Sequence, residues 1–361
     1  MPMTASPIGL RRLYHQRITH PTFKAAAAVV AWLGAMQGQD YAGTKWAFGL
    51  RIPGSTEADI DNAIADRLIF RVWLLRGTLH YVAAADAHWL LDLFGSRMIK
   101  GNARRYQELE LDEPTLLRST DLIATALRDG AHLTRPELLD MLEANGVSTA
   151  GQRGVYLLQR AGLEKILVQG DVRRNVTTFF ALPAGSTRPR EDALAELARR
   201  YFTSHGPVTF ADFVAWSGLL TSDARSGLES IKSELMEETI DGQVYWHAPE
   251  KPEAPLRSVY LLPGFDEFVL GYRDRGSILD KQFADRICPG GNGMFNPTIV
   301  RDGRIVGTWK RTLNKKETVE IKIEPFDSLT WQELNGISEV ASAYGKFLGR
   351  KAVLDHPSPQ G

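Results

Sequence analysis

Apolar positions along the chain follow two alternating periods, and together they predict one rhythm three times over: a short helix, a longer helix, then a two-stranded hairpin. The second instance is the clearest. Thr134-Arg135-Pro136-Glu137 reads as a helix start, with Thr134 as N-cap and Pro136 in the first turn. Leu138, Leu139, Met141 and Leu142 form an apolar stripe that stops at Asn145-Gly146, and Ser148 opens a second helix carrying Val155, Leu158 and Leu163. Ile166-Leu167-Val168, a turn at Gly170-Asp171 with Arg173 and Arg174, and residues 176–182 then predict a hairpin. In the third instance Thr209 caps a helix through Phe213, Val214 and Trp216, and Thr221 begins another with apolar positions over 228–235. Segments 237–240 and 244–246 flank Asp241-Gly242, a tight-turn signal. The first instance is less regular: Ser55 caps a helix carrying Ile60, Ile64 and Leu68, and strands over 70–75 and 78–82 turn at Arg76-Gly77.

Helix, helix, hairpin is the winged-helix arrangement, whose second helix and wing usually face DNA. The expected fold class is therefore α+β, with three tandem winged-helix units followed by a C-terminal β-rich unit. Residues 183–192 and 249–255 read as linkers, which divides the chain into 1–112, 113–185, 190–250 and 255–361. The last unit shows short strands at 259–262, 299–300, 305–309 and 318–323, an Asp302-Gly303 turn and a closing helix near 331–348.

Composition narrows the partners. With 361 residues, 43% hydrophobic, 24% charged and a net charge of zero, the chain is globular, and phosphates must be met by local basic patches. The single cysteine, Cys288, excludes a disulfide scaffold and a multi-cysteine zinc site, and fits a reducing cytoplasm. Arg11, Arg12, Arg17 and Lys24 before the apolar run 25–36 imitate a signal peptide, but the basic region is too long and no cleavage site follows. No stretch reaches the roughly 18 apolar residues that span a bilayer. A soluble cytoplasmic monomer that does not engage a membrane is the expectation.

The chain carries no His-Glu-x-x-His, no Gly-rich loop ending in Lys-Ser/Thr and no Gly-x-Ser-x-Gly, so no metal and no cofactor are expected. Gly290-Gly291-Asn292-Gly293 is a loop without a following helix, and Cys288 has no evident His partner. The unusual feature is Gln37-Gly38-Gln39, followed at once by Asp40, at the end of the run 25–36. On an extended segment both amides share a face, whereas on a helix they diverge by roughly 200°. A neutral amide can orient a ligand but has no useful basicity. By pattern alone a polar helix terminus is the commoner reading of such a triplet.

The company it keeps changes that reading. Leu33-Gly34-Ala35-Met36-Gln37-Gly38-Gln39-Asp40, Trp73-Leu74-Leu75-Arg76-Gly77-Thr78-Leu79-His80 and Gly151-Gln152-Arg153-Gly154 form a specific set. With them go Leu261-Leu262-Pro263-Gly264-Phe265-Asp266-Glu267-Phe268-Val269-Leu270-Gly271-Tyr272-Arg273, Asn292-Gly293-Met294-Phe295 and Val306-Gly307-Thr308-Trp309-Lys310-Arg311. Through these blocks nearly the whole chain resembles the AlkZ/YcaQ family of bacterial DNA glycosylases, winged-helix proteins that act on bulky or crosslinked N7-alkylguanine. The resemblance implies three winged-helix units curved into a C shape, double-stranded DNA with alkylated guanine as partner, and a catalytic Gln-x-Gln motif that maps onto Gln37 and Gln39. The central residue of that motif is often larger, so Gly38 is expected to loosen the amides.

N7-alkylguanine is already cationic and leaves readily, so holding a water toward the anomeric carbon could suffice, at about 10²–10³ in rate for one preorganised donor. Asp40 is a candidate carboxylate beside the pair. Arg76, Thr78, His80 and Asp266-Glu267 are polar groups in apolar surroundings, read either as support for the site or as structural ion pairs. Arg173 and Arg174 on the second wing, with Lys310, Arg311, Lys315 and Lys316 on a hairpin over 310–316, are the expected DNA contacts or else solvated turn charges. In the family a β-hairpin enters the minor groove, and 310–316 is the matching segment. Competing readings are a winged-helix DNA-binding protein without catalysis and a resistance protein that only sequesters a DNA-damaging compound.

Overall fold

The computed structural model describes residues 6–173, 176–250, 252–253, 257–314 and 317–355 and shows a mixed helix and sheet protein of the α+β kind. Four of its helices open with the same device. Thr56, Thr134, Thr209 and Thr330 each accept the N–H of an acidic residue three positions on, and Asp59, Glu137, Asp212 and Glu333 return a bond to the cap. The first of these corrects the sequence reading. Ser55 instead bonds the Ile52 carbonyl, and Leu68 lies beyond the helix Glu57–Ala65, 49% exposed.

A further correction falls in the second segment. Helix Arg153–Leu163 begins five residues after Ser148, because Glu143 holds the Thr149 amide and hydroxyl in a turn and Arg153 Nε donates to the Ser148 carbonyl. In the third, the helix Thr221–Ile231 gives way to a 3₁₀ turn, Lys232–Glu234.

Six strands form the first sheet: β1 (Met36–Gln37), β2 (Ile69–Leu74), β3 (Thr78–Ala83), β4 (Leu133–Thr134), β5 (Leu167–Arg173) and β6 (Val176–Ala181). Their order is β1-β3-β2-β5-β6-β4. The hairpins of the first two segments are thus joined edge to edge, with Arg71 opposite Gln169. β7 (Met236–Ile240) and β8 (Gln243–His247) form a separate hairpin. β9 (Val259–Leu262), β10 (Thr298–Arg301), β11 (Arg304–Asn314), β12 (Thr318–Pro325) and β13 (Lys351–Asp355) form the last sheet, in which β13 runs parallel to β12.

The cores cut across the chain segments. One joins Phe70, Trp89 and Phe94 to Tyr201 and Trp216 of the third segment and to Phe268 and Tyr272 beyond it. Another joins Trp46 and Phe48 to Trp309, Ile321 and Tyr344. The second segment keeps its own, around Leu138, Leu142, Leu157 and Leu158. Among the described residues no helix is long and apolar enough to cross a membrane.

The N-terminal helix Pro7–His15 straps the third segment to the last sheet. Arg12 Nε donates to the Pro207 carbonyl at 3.0 Å, and its guanidinium lies 3.6 Å above the Tyr272 ring. Gly9 packs so close that a Cβ would stand 1.9 Å from the Gly303 carbonyl oxygen. His15 ends the helix fully buried, with neither ring nitrogen partnered among the described residues. Burial above all, then His247, Arg11 and Arg17, lowers its pKa from 6.5 to about 3. The unfolded chain therefore binds a proton here that the fold refuses, and stability is lost as pH falls from about 6.5 toward 3. At pH 5 the loss from this residue should be about 2 kcal/mol. We expect His15→Leu to be neutral or stabilising at pH 7.5 and to flatten the decline toward pH 5 in urea titrations; an unchanged decline would assign it to other groups.

Candidate active site

Helix Ala26–Leu33 is apolar on every side and stops at Gly34, whose φ of 83° few side chains tolerate. The chain then turns into β1, so the segment carrying Gln37 is extended rather than helical. Gln37 stands opposite His80 in the ladder, and the Gly38 N–H donates to the Leu79 carbonyl at 2.7 Å. Past Gln39 the backbone turns into the helix Tyr41–Gly49.

β1 is two residues long, and side chains from elsewhere hold it. The Gln37 N–H donates to Glu267 Oε1 at 3.0 Å, and its carbonyl accepts the Thr44 hydroxyl at 3.0 Å. Glu267 is 1% exposed and its Oε2 accepts the Trp216 indole N–H at 2.9 Å. His205 Nε2 lies 3.5 Å from the same oxygen, an ion-pair distance rather than a good hydrogen bond. Burial pushes the Glu267 pKa up, but His205, the Gln37 amide and His80 outweigh it and hold the carboxyl below its usual range.

The two glutamines occupy different surroundings. Gln37 is 6% exposed, and its Oε1 accepts the Thr78 hydroxyl at 3.1 Å. Gln39 is exposed, makes no hydrogen bond among the described residues and lines a cavity of about 480 Å³. The walls include Trp73, Thr78, Tyr156, Gln159 and Gln169, and the second segment supplies more than half of the lining residues. None of the described residues lining it is Asp, Glu or His. Such a cavity can stack, donate and accept, but it holds no side chain suited to proton transfer near neutral pH.

Each supporting residue from the sequence now has a place. Asp40 Oδ1 accepts the Gly43 N–H at 3.1 Å as N-cap of Tyr41–Gly49. Thr78 fixes the Gln37 amide. His80 is 1% exposed, and burial first, then the Arg76 charge, lowers its pKa to about 4, so it is neutral at physiological pH. Arg76 donates to the Trp216 carbonyl at the end of helix Phe210–Ser217. Asp266 is away from the amides: it pairs with Arg51 through two bonds at 3.0 and 3.2 Å and caps the short helix Glu267–Leu270.

The basic candidates divide. Arg173 is exposed and bonds the His132 carbonyl. Lys310 has a side chain 64% exposed, 3.2 Å from Glu324, while Arg311 bonds the Tyr344 hydroxyl. Arg174, Lys315 and Lys316 lie outside the described residues. Leu313 is 56% exposed near the end of β11, and β13 braces the partner strand β12 along Thr318–Lys322. Among the described residues no group of three or more His, Cys, Asp or Glu side chains is placed to hold a metal ion.

Sequence reasoning missed Arg71, Thr44, Gln169 and Trp216. Only Arg71 left a signal, as the one charge in a strand otherwise made of Ile, Phe, Val, Trp and Leu.

Fold and site together define an α+β protein with paired amides beside a cavity whose described walls hold no carboxylate. The family model described as DNA glycosylase AlkZ-like matches residues 30–347, and the chain belongs to that family. It is similar to the interstrand DNA cross-link repair glycosylase of Streptomyces sahachiroi, 25% identical over 324 residues covering 83% of this chain and 85% of that protein. The solved structure of Streptomyces sahachiroi DNA glycosylase AlkZ matches with a TM-score of 0.79 over 98% of this chain and 100% of that one. At 22% identity that likeness speaks for the fold.

The Arg51–Asp266 pair separates structure from chemistry. Asp266→Asn removes the charge opposite a fully buried guanidinium, so unfolding should become easier by about 3–5 kcal/mol. Activity per folded molecule should stay within a few-fold of the parent. A cooperative melt at the parent temperature would show that the pair contributes nothing.

Proposed function

We propose that the chain is a monofunctional DNA glycosylase that hydrolyses the N-glycosidic bond of N7-alkylguanine, including bulky adducts and interstrand crosslinks. On this reading it acts as a monomer in the cytoplasm, with three winged-helix units curved around the duplex. The observation that carries the proposal is Gln39, without a hydrogen-bond partner among the described residues, lining a cavity whose described walls hold no carboxylate and include Thr78, which holds Gln37. A leaving group that already carries positive charge departs without a general acid, so what remains is to deliver water.

Water adds to the anomeric carbon as the base leaves with the bonding electron pair, and the proton of the added water passes to solvent. Gln37, locked by its backbone and by Thr78, supplies the fixed amide. Gln39 supplies the adaptable one. Asp40 serves the helix that follows. Arg173 and the exposed Lys310 of β11 face phosphate, and the hairpin expected over 310–316 enters the minor groove.

Release of 7-methylguanine from alkylated duplex under single-turnover conditions tests the reading, alongside unhooking of an N7-linked crosslink. Gln37→Ala and Gln39→Ala should each slow release by about 10²–10³. Full rates in both would sink the proposal, and DNA binding without release would leave a DNA-binding protein. Asp40→Asn keeps the cap and removes the charge, so its rate should change only a few-fold; a loss matching Gln37→Ala would make Asp40 the base.

A further inference from the structure

Arg71 is 8% exposed, yet forms no ion pair with any described carboxylate. Burying a guanidinium without an anionic partner is costly, and a neutral side chain would fill a packed sheet better. Its bonds are specific. Nε donates to the Gly38 carbonyl at 2.8 Å, and Nη1 donates to Gln169 Oε1 at 2.8 Å. The Gly38 carbonyl belongs to the peptide that joins Gly38 to Gln39, so this bond sets the plane from which the Gln39 side chain leaves. The preceding peptide is held by Thr44 at the Gln37 carbonyl and by Leu79 at the Gly38 N–H. Glycine is the residue with the widest backbone freedom, and both of its peptide planes are clamped.

We propose that Arg71 is the positioning residue of the Gln37-Gly38-Gln39 turn, and that Gln169 of the second segment sets Arg71. Two hydrogen bonds from one planar fork fix the guanidinium in orientation as well as place, which an ammonium cannot do. The second segment thereby contributes to the aim of Gln39 as well as to the walls of its cavity. This inference rests on the glycosylase reading for its kinetic consequence, while the clamp itself is a property of the fold.

Arg71→Lys keeps the charge and loses the fork. Single-turnover release of 7-methylguanine should fall about 10- to 100-fold, the scale of a displacement near 1 Å, while the Kd for duplex stays within about threefold. Gln169→Leu, which frees one end of the fork, should lose less rate, again at constant Kd. Ethylguanidinium added to Arg71→Ala should restore part of the rate, an effect that a purely structural role would not produce. An unchanged rate in Arg71→Lys overturns the proposal, as does a Kd that weakens in step with the rate, which would make Arg71 a DNA contact. If Arg71→Lys fails to melt cooperatively, Gln169→Leu decides by the same criteria. Should the wild-type protein release no base, the glycosylase reading fails, and hydrogen exchange at the Gly38 amide tests the clamp alone. Faster exchange in Arg71→Lys supports it, and equal exchange overturns it.

Discussion

Everything around the paired amides depends on one buried carboxylate. Glu267 accepts the backbone N–H of Gln37 from the first segment and the indole N–H of Trp216 from the third, while His205 of the third stands beside it. Glu267 itself follows β9 of the last sheet, so one side chain ties three stretches of chain together. A buried anion is stable only when its lone pairs are met, which makes each partner costly to remove. β1 could not hold its place alone, since two ladder residues supply too few bonds to fix a strand. Glu267 turns a loop leaving an apolar helix into a fixed platform for Gln37.

How much of this was legible in the sequence depends on the range of the interactions. Capping boxes act over three residues, and the Thr134, Thr209 and Asp-Gly signals fell where the helices and turns are. The course of Gln37 stayed open between a strand and a helix terminus in the sequence, and Gly34, which ends the helix on which the amides would diverge, settles it as extended. Misreadings arose where two candidates compete locally: Ser55 and Thr56 are both good caps, and only the reach of Asp59 decides between them. β13, the merging of two hairpins into one sheet and the sharing of cores were hidden. These depend on contacts such as Arg71 with Gln169, 98 residues apart, to which local pattern is blind.

Gly38 shows how a correct worry can have a different answer. A central glycine ought to loosen two flanking amides, since it lacks the side chain that limits its backbone. Here a Cβ would stand 3.1 and 3.2 Å from atoms of the Tyr81 ring and 3.4 Å from Arg71 Nε. The glycine lets Arg71 and Tyr81 come close, and they then supply the restraint its own side chain would have given. Bulk at the centre of the motif and a glycine packed against bulk are two routes to one constraint.

That constraint falls unequally on the two amides, and the inequality has a consequence for what the site can accept. Electrostatic preorganisation works when the groups facing the developing charge need not reorganise as it appears. Gln37 meets that condition, buried and bonded at backbone and side chain alike. Gln39 meets it only in its backbone; on the proposed reading its side chain would be ordered by substrate, at a conformational cost of about 1–2 kcal/mol. A site with both amides locked would be faster on one adduct but would admit only shapes that fit it. On the proposed glycosylase reading, one amide fixed and one free in a cavity of about 480 Å³ would let the water-holding geometry be completed around N7 substituents of different size.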